Sequence, residues 1–123
     1  MRHILIIAAL LMAVPDAHAE LVVIRWSGEA RFLHESTVAP GKFVELCDKL
    51  PAGLQVAWRF EASSALDFNV HYHLGKEVVF PFKLSAVASG KDTLHTQIEQ
   101  DYCWMWSNKS PTPATLSVTL RRG

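Results

Sequence analysis

The chain is poor in cysteine, in unbalanced charge, in long apolar runs and in helical periodicity. Its 123 residues contain two cysteines, Cys47 and Cys103. They form no CxxC motif, which leaves a thioredoxin-like or zinc-ribbon reading without support. The 12 Lys and Arg balance the 12 Asp and Glu, and no basic run occurs, so the electrostatic footprint of a nucleic-acid binder is missing. No Ser or Cys stands in a nucleophile-elbow pattern. After residue 14 no apolar stretch approaches the roughly 20 residues that a membrane-spanning helix needs. Hydrophobic residues make up 50% of the chain, which argues against disorder.

What is present begins with a leader. Arg2 and His3 precede an apolar run from Ile4 to Val14, and Ala17-His18-Ala19 is a small-x-small site. This is the plan of a secretory signal peptide over 1–19, cut after Ala19, and it implies a periplasmic or secreted protein. Residues 20–123 then make one domain of common size. In an exported domain two cysteines pair, so Cys47 and Cys103 are expected to form one disulfide. Trp104 and Met105 beside Cys103 offer no positive charge to activate a thiolate.

The 20–123 region reads as short β-rich runs between turn residues. "LVVIRW" (21–26), "EARFLHES" (29–36), "KFVELC" (42–47) and "LQVAWRFE" (54–61) come first. "LDFNVHYHL" (66–74), "EVVFPFKL" (77–84), "TLHTQI" (93–98), "YCWMWS" (102–107) and "ATLSVTLRR" (114–122) follow. The expectation is an all-β fold, an antiparallel β-sandwich of about eight strands. Successive strand residues face opposite sides. Leu54, Val56, Trp58 and Phe60 therefore share a face, as do Leu66, Phe68, Val70, Tyr72 and Leu74. Asp67, Asn69, His71 and His73 take the opposite side. Pro81 predicts an edge strand or a bulge for 77–84.

The order of these pieces resembles the Golgi-dynamics (GOLD) domain family. "LPAG" (50–53) is followed by Val-Ala-Trp-Arg-Phe (56–60), by "LDFNVHY" (66–72), by Tyr-Cys-Trp-Met-Trp-Ser-Asn (102–108) and by "LSVTL" (116–120). The similarity spans roughly 40–121. It implies a GOLD-like β-sandwich and a non-enzymatic binding or interaction role, with a protein or a small apolar ligand as partner. Compared with disulfide-bonded members, each cysteine is displaced by about two residues, in opposite senses along the chain. Such a step keeps the strand face and, on antiparallel neighbours, the pairing. No coiled coil or transmembrane helix follows the domain here, unlike the family's cargo receptors, so no role in vesicle traffic is carried over.

Three constellations are candidate sites. His71, His73 and Glu77 have the HxHxxxE spacing with which cupin metal sites begin, and neutral imidazoles suit zinc, copper, iron or nickel. The glycine expected before the first histidine is missing. The only later histidine is His95, and it lacks the usual preceding pattern. The alternative is a solvated polar face. Trp104 and Trp106 share a face opposite Cys103. If the cysteine points inward, the indoles point outward as a contact surface; otherwise they join Trp26 and Trp58 in the core. Asn108-Lys109-Ser110 is a glycosylation sequon followed by Pro111, in a chain with a bacterial-style leader. No organic cofactor is implied.

Overall fold

The structure, a computed structural model, describes residues 20–123; the expected leader at 1–19 lies outside the described residues. Seven strands form: β1 (Glu20–Val23), β2 (Arg31–Val38), β3 (Phe43–Leu50), β4 (Gln55–Leu74), β5 (Glu77–His95), β6 (Gln100–Ser107) and β7 (Ala114–Arg122). The count falls below eight because four expected strands merge into two. The runs 54–61 and 66–74 are one continuous strand, β4, and 77–84 joins the next run as β5. The small residues at 62–64 make an irregularity instead of a turn: pairing of β4 with β5 shifts register between Glu61 and Leu66.

That long hairpin builds the sandwich. The first half of β4 pairs with β7 (Val56↔Arg122 through Ala62↔Leu116), and β7 pairs with β2. The second half pairs with β6 (Asp67↔Ser107 through His71↔Cys103), and β6 pairs with β3. One leaf is thus β1-β3-β6-β4 and the other β4-β7-β2, with β5 running along β4 in both. All pairings are antiparallel, as expected, except that of the short β1 with β3, which is parallel. The hairpin turn falls at Gly75-Lys76, where Gly75 takes φ 61°, a conformation glycine adopts without steric cost. β5 has no ladder partner besides β4 among the described residues, and Pro81 sits in it beside the register shift at Val70/Tyr72. This is the edge position where a missing N–H is tolerated.

Where β5 passes from one leaf to the other, Ala86 adopts φ 51°. Asp67 steadies this corner by accepting from the Ala86 N–H at 2.9 Å while pairing with Lys109 Nζ at 2.8 Å. The core lies between the leaves. Leu46, Val70, Trp104 and Trp106 from one leaf meet Val56, Phe60, Val118 and Leu120 from the other. Phe60 and Trp106 touch edge-to-face at 5.6 Å, and Trp58 meets Phe68 at 4.7 Å. Burial of each large apolar side chain contributes about 1.5–3 kcal/mol.

The expected contact surface at Trp104 and Trp106 is therefore corrected: both indoles are 0% exposed. An indole buries far more apolar surface than a half-cystine, so the strand turns its tryptophans inward. Their N–H groups find no acceptor, a cost of about 1–3 kcal/mol each that the burial outweighs. The Cys47–Cys103 disulfide, present as expected, lies on the outer side of the same leaf. The sequon asparagine is also structural. Asn108 is buried, and its Nδ2 donates to the Val38 and Thr112 carbonyls at 2.9 and 2.8 Å.

Candidate functional site

The outer face of the disulfide leaf follows from strand register. Residues paired across neighbouring strands point to the same side. One row runs Leu21–Glu45–Met105–Asn69, and the next runs Val23–Cys47–Cys103–His71. β5 completes the face with Val78, registered with His73, and with Phe80, whose ring lies 6.0 Å from that of His71.

His71 is the centre of this face. Its side chain is only 7% exposed although it points away from the core. The His73 ring stands perpendicular to it at 5.4 Å. Nε2 of His71 is 3.0 Å from Oε1 of Glu45, and Nδ1 is 2.7 Å from Oδ1 of Asn69. Burial holds the imidazole below its ordinary value of 6.5; Glu45 opposes that effect and His73 adds to it. A neutral ring has a single N–H. With that proton on Nε2 toward Glu45, Nδ1 is satisfied only when Asn69 turns its amide NH2 inward. The opposite amide orientation, with oxygen toward Nδ1, suits the imidazolium. The two orientations of Asn69 thus correspond to two charge states of His71.

The three predicted metal ligands divide. His71 and His73 are brought together, but Glu77 registers with Leu74 and so points to the other face from His73. Glu45, from β3, takes the place beside His71. His95 stands in the other leaf, opposite Gln55. Ligand atoms of Glu45, His71 and Cys103 lie within 4.8 Å of one another, yet the Cys103 sulfur is committed to the disulfide. For the same reason, and because both ring nitrogens of His71 already have partners, this trio holds no thiolate–imidazole nucleophile.

A second concavity opens between the leaves at the β5 edge, about 440 Å³ in volume, lined by Trp58, Val70, Tyr72, Phe82, Leu94 and Tyr102 among others. Its size and apolar lining suit a small ligand. The Tyr102 hydroxyl is occupied in donating to the Ile98 carbonyl at 2.8 Å, and burial raises its pKa above 10.0.

No family model matches the chain, and no curated protein matches it in sequence. Solved structures do share its fold. The periplasmic inhibitor of g-type lysozyme, PliG, from Aeromonas hydrophila superposes with a TM-score of 0.66 at 13% identity, covering 86% of this chain and 98% of that one. PliG from Salmonella Typhimurium gives 0.59 at 13% identity, covering 85% and 99%. The pre-peptidase C-terminal domain of a Bacillus anthracis collagenase gives 0.63 at 6% identity, covering 84% and 96%. At these identities the likeness is one of fold.

Proposed function

We propose that the chain is an exported, non-enzymatic binding module whose partner is a protein, in the manner of the PliG inhibitors. The observation that carries this reading is the outer face of the disulfide leaf. Leu21, Val23, Val78 and Phe80, all large and exposed, surround the shielded Glu45–His71 pair there. Apolar side chains displayed around a few fixed polar groups on a rigid, disulfide-tied sheet are what a protein-binding surface requires. The fold of two periplasmic lysozyme inhibitors over nearly their whole length supports the reading, and so does the leader-like sequence at 1–19. The GOLD-like kinship remains a proposal beside it; its quoted pieces fall on the end of β3, both halves of β4, and on β6 and β7.

Two measurements test the proposal. Expressed with its own first 19 residues in a bacterial host, the protein should be recovered from the periplasm or medium with a mass starting at Glu20. Titrated into a g-type lysozyme, it should form a one-to-one complex and suppress cell-wall lysis. Cytoplasmic protein with an intact N-terminus would remove export. Unchanged lysis with no binding heat would remove the inhibitor-like reading.

A further inference from the structure

Resting on that reading, the outer face defines what it would grip. Glu45 is only 14% exposed, and its one ion-pair partner among the described residues is the imidazole of His71. No lysine or arginine nitrogen of the described residues lies within 4.0 Å of it; the ion pairs formed elsewhere join Glu20 to His34, Glu61 to Arg59 and Asp67 to Lys109. A carboxylate largely removed from water, with no lysine or arginine beside it among the described residues, is compensated only while the His71 ring carries its second proton, and is costly to keep ionised without a cation when it does not.

The surface above Glu45 is shaped for such a cation. A pocket of about 360 Å³ has Glu45 and His71 at its base and His73, Val78, Phe80 and Met105 around it. That volume is at the small end for ligand sites. The Phe80 ring already attracts a cation: Lys83 Nζ sits 5.0 Å from its centroid. Among the described residues, Lys83, registered with Asn69 on this same face, supplies a cation to the aromatic wall, and no lysine or arginine reaches the carboxylate. Leu21 and Val23, in the same rows as Glu45 and Cys47, extend the apolar rim past the pocket.

We propose that this pocket receives an arginine side chain presented by a partner protein, its guanidinium pairing with Glu45 and its methylenes packing on Val78, Phe80 and Met105. Arginine fits better than lysine because its planar fork can meet a carboxylate with two N–H groups and stack on aromatic rings.

The test is an NMR titration of the folded protein with N-acetyl-arginine methylamide, using the neutral citrulline analogue as control. Amide shifts should cluster at Glu45, His71, Phe80 and Met105, with citrulline at least about tenfold weaker. Glu45→Gln, which keeps shape and removes the charge, should abolish the preference, and Phe80→Ala should weaken arginine severalfold. Equal binding of the two probes, or shifts scattered elsewhere, overturns the proposal. So does stoichiometric zinc binding that moves the same amides and excludes the arginine probe. Failure here is separable from failure of the inhibitor-like reading. A lysozyme complex that forms equally well with Glu45→Gln removes this pocket and leaves that reading standing. Specific arginine binding with no lysozyme complex does the reverse.

Discussion

His71 and Glu45, 26 residues apart in the chain, meet at 3.0 Å on the outside of a sheet, two strands from each other and shielded by Phe80. The relationship has a consequence for acid stability. The native imidazole is held below its ordinary 6.5. Between the lowered native value and 6.5 the unfolded chain binds more protons than the native one, so stability present above 6.5 declines as the pH falls through that window. Thermal melts from about pH 7 to about pH 5 should show a falling Tm in the wild type and a flatter profile in His71→Gln.

Asp67 acts in a separate, more acidic window. The Lys109 hydrogen bond, then the Ala86 N–H, hold its carboxyl below 3.8. Stability from this corner is present above 3.8 and disappears as the pH falls through the lowered native value. Asp67→Asn should remove that part of the acid dependence and leave the region near pH 6 unchanged, as read by melts over the two ranges.

The disulfide joins residues 56 apart that are directly registered on β3 and β6. Reduction, or the Cys47→Ala/Cys103→Ala pair, should cost about 2–5 kcal/mol in urea unfolding. The native protein should contain no free thiol by mass spectrometry after alkylation.

Trp104 and Trp106 are now core residues. Trp104→Ala should cost about 3–5 kcal/mol by the same measurement. Substituting exposed Leu21 by serine should stay within about 0.5 kcal/mol. If the two changes cost alike, the indole is not where the structure puts it.

Gly90 is registered against Phe60, and a Cβ there would come within 2.8 Å of the Phe60 ring and 3.3 Å of Trp58. Phe60 is itself buried and has nowhere to retreat. Gly90→Val should therefore cost about 1–3 kcal/mol in unfolding experiments, although valine favours strands.

Much of the fold was legible because strand alternation is local. The inward set Val56, Trp58, Phe60, Leu66, Phe68 and Val70 could be read from period two alone, and the turn at Gly75 from its residue type. Strand merging was not legible, because Ala62-Ser63-Ser64 serves a turn or a bulge equally well and only pairing with β5 and β7 selects the bulge. Pairing of Cys47 with Cys103 followed from there being two cysteines in a chain whose first 19 residues read as a leader. Which way β6 faced did not follow. Period two divides a strand into two sides without saying which is inner, and the answer came from the volume available between the leaves, which the indoles fill and a disulfide would not. The same limit governed the site. "HYH" put two imidazoles on one side of one strand, and spacing along the chain suggested Glu77. Their actual acidic neighbour, Glu45, is set by the register of three strands, since a carboxylate on β3 reaches His71 on β4 only across β6. Sequence by itself determined composition, alternation and the residues able to act; tertiary structure decided which of them meet, because contact across a sheet depends on register, which no single strand encodes.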